Sequence, residues 1–455
     1  MIQNKKYQAY SLHNFRQIPQ MKMLSEEQLF TIEVVGHVLP FKVNNYILDE
    51  LIDWNNFETD PMFLLTFPQR GMLSDKHFNT VAEWVRAGRT KKEMKKDIDQ
   101  IRLELNPHPA GQKTQNVPSI HGIELSGVQH KYKETVLFFP RRGQTCHAYC
   151  TFCFRWPQFV GIDDLKFAMN ETHLVVEYLK AHPEVTDLIF TGGDPMVMAT
   201  KVFKPYLEAL IEADIPHLQN IRIGTKSLTF WPYKYVNDPE TDELLDLFRK
   251  VKAKGKHLTI MAHFNNPVEL STPVVQKAIE NILETGVQIR TQAPIMKGIN
   301  DNADWWAAMW RHQVKLGCIP YYMFIARDTG ARDFFAVPLE KCYQIFRDAY
   351  SQVSGICRTV RGPSMSAAPG KVQVLGIEEI NGEKVMALSF LQGRNPDWVG
   401  RPFFAKYDPE ALWLTDLKPA FGQTHFLYED GPQMEDSVEE TESAYEVNYE
   451  EYTPA

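Results

Sequence analysis

Between residues 130 and 355 one pattern recurs six times: a short β-branched or aromatic run, then a longer amphipathic stretch at helical spacing. The runs are Thr135–Pro140, Asp187–Thr191, Asn220–Thr225, His257–Phe264, Gln288–Ile295 and Pro320–Ala326. The stretches are Phe167–His182, Val202–Ala213, Thr241–Gly255, Thr272–Gly286, Asn302–Gly317 and Leu339–Gly355, several of which stop at a helix-ending glycine. Units of this length, roughly 30–40 residues, imply parallel strands joined by right-handed crossovers. Six units fall short of a closed barrel of eight. The expected fold class is therefore α/β, a partial (β/α)6 barrel with its chemistry at the C-terminal ends of the strands.

The flanks read differently. Residues 1–115 are predicted to form a mainly helical extension. Ser25-Glu-Glu-Gln28 has the form of a capping box, Thr90–Leu105 has helical spacing, and Asn106-Pro-His-Pro-Ala-Gly111 breaks the chain. The barrel is predicted over 116–360. Residues 361–428 lose the periodicity and read as loops and short strands. The stretch 429–455 carries ten acidic residues and no Lys or Arg, the composition of a solvated, disordered tail; a homo-oligomer contact is the other reading. A formal charge of −8 disfavours nucleic acid as a partner. The first residues do not resemble a signal peptide and no apolar run reaches membrane-spanning length, so a cytoplasmic protein is expected. Six cysteines, three of them clustered, suit a reducing compartment; Cys318, Cys342 and Cys357 sit in apolar or helical contexts as small core residues.

The clustered three are Cys146, Cys150 and Cys153, spaced C-x3-C-x2-C in the loop after the first strand. Three thiolates can hold three irons of a [4Fe–4S] cluster and leave the fourth iron without a protein ligand, whereas a cluster that only carries electrons is normally closed by four. An open iron can chelate the amino and carboxylate groups of S-adenosylmethionine (SAM). The rival, a zinc knuckle, wants four ligands, usually in two close pairs. His147, immediately beside Cys146, is poorly placed as the fourth.

Thr191-Gly-Gly-Asp-Pro195 ends the second strand. Gly192 and Gly193 allow close backbone approach to a ligand, and Asp194 can meet the SAM ammonium. Taken with His130-Lys-Tyr132, Ile221-Arg-Ile-Gly-Thr225, His263-Phe-Asn-Asn-Pro267, Gln292, Gly298-Ile-Asn-Asp301 and Pro320-Tyr-Tyr322, in this order, the chain resembles the lysine 2,3-aminomutase family of radical SAM enzymes over roughly residues 120–375. The resemblance implies a partial barrel holding a [4Fe–4S] cluster, SAM and pyridoxal phosphate (PLP). It also implies isomerase chemistry, in which an amino group moves from Cα to Cβ through a PLP imine. His263 and Gln292 match positions near SAM. Arg155, two residues after the third cysteine, matches the PLP-phosphate arginine, and Lys371 in Ala368-Pro-Gly-Lys371 matches the lysine that carries PLP. The family's glycine run before that lysine is reduced here to one.

Two departures concern the substrate. Where the lysine-specific enzymes place two aspartates around the distal ammonium, this chain has Arg327, with Asp328 adjacent, and Ser364. An arginine and a serine repel an ammonium and attract a carboxylate. An acidic amino acid such as glutamate is the expected substrate, with an electron donor such as flavodoxin or ferredoxin. A third departure concerns metal: Asn302 replaces a cysteine of the family's structural zinc site, so no such zinc is expected. Two other readings stay open: a PLP-independent radical SAM enzyme acting on peptide, protein or RNA, and a non-catalytic iron–sulfur sensor.

Overall fold

A computed structural model of the protein describes residues 2–106, 116–161 and 167–429. Its centre is an eleven-stranded sheet in which every strand lies beside its neighbour in the sequence. The six expected strands are present as Thr135–Phe138, Asp187–Phe190, Asn220–Thr225, His257–His263, Gln288–Ile295 and Ile319–Ile325, all paired parallel. The intervening helices are Thr172–Ala181, Thr200–Glu212, Thr241–Ala253, Pro273–Glu284, Ala303–Lys315 and Leu339–Ser351. The first starts five residues later than the periodicity predicts, and residues 162–166 ahead of it lie outside the described set. Gly286 and Gly317 follow two of these helices with φ of 78° and 83°, a backbone that disfavours any side chain.

The strands alternate because one face packs under the helices and the other lines a cavity. Val136, Phe138, Leu188, Phe190, Ile221 and Ile223 are fully buried under the helices, while Thr135, Leu137, Ile189 and Arg222 face an inner cavity. The sheet curls so that its first edge approaches residues near its C-terminal strands. Lys131, on the edge strand Val128–Tyr132, donates to the Ala367 carbonyl at 2.6 Å, and Arg394 donates to Asn116 at 2.7 Å.

Two regions correct the sequence reading. Residues 361–428 are not mere loops and short strands. Arg361–Ser366 adds a seventh parallel strand, followed by antiparallel strands Gly370–Ile380 and Glu383–Gly393, each of eleven residues, and then Pro402–Lys406. The Gly362-Pro363 pair inside the seventh strand, normally a breaker, hides it from pattern reading. The partial barrel therefore has one parallel strand more than the six expected, and the C-terminal segment is continuous with its sheet.

Residues 2–106 do carry the expected helices, including Glu26–Val38 under the Ser25–Gln28 capping box and Lys91–Glu104 capped by Thr90. They also form a ribbon, Ala9–Ser11 with Lys42–Asn44. This region shares one core with the mouth of the barrel: Phe41, Tyr46 and Phe67 pack with Ala148, Trp156, Phe230, Met296 and Phe335. It is a cover over the C-terminal ends of the strands. The proline-rich break falls mostly, and the acidic tail almost wholly, outside the described residues. Cys318, Cys342 and Cys357 are buried and unpaired, as small core residues. Among the described residues no helix is long and apolar enough to cross a membrane.

Phe390, 1% exposed, anchors the C-terminal strands against Trp398, Phe403 and Tyr428 at ring distances of 5.5–5.6 Å. Phe390→Ala is expected to cost about 3–5 kcal/mol, read from the urea midpoint. Because the sheet is continuous, far-UV circular dichroism and tryptophan fluorescence should shift together in a single transition. Separate transitions would mark the C-terminal strands as an independent unit.

Candidate active site

The cysteine loop leaves the first strand at the barrel mouth and is fixed there through its backbone. Tyr149 N donates to Lys42 O, Thr151 N to Leu65 O and the Thr151 hydroxyl to Leu64 O, at 2.7–2.9 Å. Lys42 Nζ donates to Cys146 O at 2.7 Å and the Tyr7 hydroxyl to His147 O at 2.6 Å. All of these partners come from the N-terminal cover. The His147 ring packs edge-on against Tyr7, its Nδ1 has no partner among the described residues, and burial holds its pKa at about 3. It is spent on packing.

Burial pushes all three thiols up, Cys153 to about 11 and Cys146 and Cys150 well above the ordinary thiol range, so thiolates here require neighbouring positive charge. Each thiol has a cation beside it: Lys42 by Cys146, Lys226 by Cys150, Arg155 by Cys153. Among the described residues no three His, Cys, Asp or Glu side chains converge as they must around a single metal ion. Three soft thiols in one loop are the donor chemistry of an iron–sulfur cluster.

The glycine loop lies against this one. A Cβ on Gly192 would collide with the Gln144 side chain, and one on Gly193 would sit 2.5 Å from the Thr145 backbone. The close approach that these glycines permit is thus to the cysteine loop itself. Asp194 joins three segments. Its N–H donates to Gly143 O and Thr145 O, and its carboxylate accepts from the Thr225 hydroxyl at 2.6 Å and from Met196 N and Lys226 N at 2.9 Å. Only 2% exposed, with its pKa raised by burial, it braces the site from within.

His263 ends the fourth strand. Its ring stacks on Phe152 at 5.9 Å, and burial with nearby Lys226 brings its pKa to about 3, so it is neutral. Gln292 is its register partner on the fifth strand and is half-buried. Lys226 pairs with buried Glu269 and donates to Asn265 Oδ1 and His263 O. Asn302, standing where the family has a cysteine, caps the helix Ala303–Lys315 through Asp304 N and Trp305 N.

Inside the barrel a cavity of about 250 Å³ is lined by Lys131, Arg155, Arg222, Arg327 and Lys371, with polar Gln129, Ser366 and Gln392 and aromatic Tyr132, Phe154 and Tyr321 among their neighbours. Lys371 faces it with Nζ 3.2 Å from Gln392 Oε1 and 4.1 Å from the Tyr322 ring centre. Burial, then Arg222 and Arg361, lower its pKa to about 7. An amine that is largely neutral near pH 7 is the form that attacks a carbonyl cofactor. Arg155 and Arg327 flank the Phe154 ring at 5.0 and 5.3 Å. Burial and Arg327 lower Arg155 to about 10. This inward amine and guanidinium suit PLP, and the single glycine before the lysine has not kept Lys371 from the cavity.

Three of the expected residues, Arg155, Arg327 and Lys371, thus meet in one cavity, while the cysteines, Gly192, Gly193, Asp194, His263 and Gln292 gather at its mouth. Ser364 does not join them. It is fully buried, its hydroxyl 3.5 Å from Met323 O, because a register irregularity between Tyr322 and Phe324 turns it into the ladder with the sixth strand; Ser366 reaches the cavity instead. Asp328 is buried outside the lining, so Arg327 is the cavity residue of the two. Sequence reasoning missed Lys131 and Arg222 as lining residues, although a cation at an inward position of an otherwise apolar strand is a readable signal.

A curled parallel sheet carrying a three-thiol loop at the C-terminal ends of its strands is the architecture of radical SAM enzymes. No family model matches the chain. A protein of Aquifex aeolicus provisionally named L-lysine 2,3-aminomutase is 30% identical over 393 residues, 86% of this chain and 91% of its own length. The L-lysine 2,3-aminomutases of Fusobacterium nucleatum and Bacillus subtilis are 28% and 27% identical over 231 residues, about half of this chain, with 51% and 46% of their own lengths covered. A solved radical SAM methyltransferase from Sphaerobacter thermophilus is 15% identical, covering 51% of this chain and 68% of its own, at a TM-score of only 0.35. The chain belongs to the lysine 2,3-aminomutase family, whose members are radical SAM isomerases that use a [4Fe–4S] cluster, SAM and PLP.

The lowered Lys371 value gives a pH prediction. Its amine loses its proton as pH rises through about 7, so the apparent affinity for added PLP should climb from about pH 6 to 8 and then level off, whereas an ordinary lysine would keep gaining to about pH 10. Borohydride reduction followed by peptide mass analysis should place the pyridoxyl group on Lys371, and Lys371→Met should remove it.

Proposed function

We propose that this protein is an amino-acid 2,3-aminomutase acting on an acidic α-amino acid such as glutamate. The observation that carries this reading is the lining of the cavity: five basic side chains and no acidic one, with Lys371 largely neutral and the guanidiniums of Arg155 and Arg327 facing the space. Arg222 is neutralised by Asp187, which it grips with two nitrogens; Arg327 has the buried Asp328 carboxylate behind it, outside the lining, and no carboxylate on its cavity side. A lysine substrate would bring its distal ammonium against that guanidinium. An acidic substrate would bring a carboxylate, which an arginine fork can hold with two parallel hydrogen bonds.

When bound, the cluster and SAM supply a hydrogen-abstracting radical, and PLP supplies a π system over which the unpaired electron spreads. The chain's residues do the placing. Cys146, Cys150 and Cys153 hold the cluster. The Gly192-Gly193-Asp194 turn, His263 and Gln292 shape the SAM side of the mouth, with Asp194 acting through the backbone it braces. Lys371 presents a neutral amine to PLP, Arg155 takes the phosphate, and Arg327 receives the distal carboxylate. Phe152, Phe154 and Trp156 keep water from the space between mouth and cavity. Ser364 has no part in this arrangement.

Anaerobic, reconstituted enzyme should convert glutamate to its β-amino isomer in preference to lysine when a panel of α-amino acids is scored by mass spectrometry. Arg327→Met should lower kcat/KM for the acidic substrate by about 10–100-fold, the loss expected for a charge-assisted contact. Brisk lysine turnover with none for glutamate would refute the acidic assignment.

A further inference from the structure

Of the three cations beside the thiols, Lys226 is neutralised by Glu269 and Arg155 faces the inner cavity. Lys42 differs from both. It reaches the loop from the N-terminal cover and donates to the Cys146 carbonyl at 2.7 Å, with its ammonium 5.8 Å from the Tyr149 ring centre. Among the described residues no carboxylate pairs with it. A half-buried ammonium held against a thiolate loop, with no counter-ion of its own, leaves a net positive charge in a low-dielectric position.

We propose that Lys42 sets the reduction potential of the cluster, its charge favouring the reduced state. Reduction brings one electron from a low-potential one-electron donor into the cube and neither makes nor breaks a bond. The cube becomes one charge more negative. A fixed cation nearby lowers the energy of the more negative state, which raises the potential, and net charge and hydrogen bonding around the sulfurs are established levers on such clusters. The lever here belongs to the cover and not to the barrel. Lys42 is thus a positioning and tuning residue that touches the loop, not the substrate.

The test is an EPR-monitored redox titration of reconstituted protein with dithionite, with iron and sulfide content measured alongside. Lys42→Gln keeps a donor for the Cys146 carbonyl but removes the charge. It should load iron normally and show a more negative midpoint, so that the reduced fraction at a fixed potential near the wild-type midpoint falls several-fold. Lys42→Arg should restore the wild-type midpoint, and Lys42→Met should match Lys42→Gln or load less iron if the hydrogen bond also holds the loop. A fully loaded Lys42→Gln protein with an unchanged midpoint would overturn the proposal. So would equal shifts in Lys42→Gln and Lys42→Arg, which would show that loop geometry and not charge controls the potential.

Discussion

The Asp194 carboxylate is the point on which the site rests. Three segments meet at this buried residue: the cysteine loop through Gly143 and Thr145, its own glycine turn through Met196 N, and the end of the third strand through Thr225 and Lys226. A buried carboxylate is tolerable only when donors surround it, and removing it would leave several buried donors unmatched. The Asp194 N–H, through Gly143 O and Thr145 O, fixes how the loop with three thiols sits relative to the turn with two glycines, while its carboxylate ties that turn to the third strand. Because Gly192 and Gly193 lie against Gln144 and Thr145, neither half of the mouth can shift without the other.

Below the mouth the architecture serves electrostatics. A curled sheet with inward cations concentrates positive charge in a small volume, and that charge has two effects. Together with burial it lowers Lys371 toward neutrality, since Arg222 and Arg361 disfavour another cation nearby. It also makes the cavity receptive to anionic groups, of which PLP brings a phosphate and an acidic amino acid brings carboxylates. Reactivity of the lysine and preference for anions arise from one distribution of charge.

Much of this was legible in the sequence, for physical reasons. The six strands and helices of the barrel follow from hydrophobic period, and their observed ends fall close to the predicted ones except at the first helix. The cysteine spacing, the glycine turn and Lys371 are short local patterns, and the structure brings the first two together at the barrel mouth and Lys371 to the cavity. What was hidden depends on contact across long sequence separations. Nothing in the run around Lys42 indicates that it lies on a loop a hundred residues later. The seventh parallel strand was masked by Gly362-Pro363, and the two long strands after it by mixed polar and apolar faces. Ser364 was placed by counting, which cannot foresee a register irregularity. Asp194 was taken as a ligand-facing acid, yet its partners are the protein's own hydroxyl and amides.

The hydrogen bonds that join Tyr7, Lys42, Leu64 and Leu65 to the cysteine loop bear on how the mouth is assembled. The segment that seats the loop is synthesised well before it, but has no loop to hold until the barrel's first strand has emerged and the sheet has begun to curl. The cover and the loop therefore complete one another: neither has its hydrogen-bond partners until both stand at the barrel mouth.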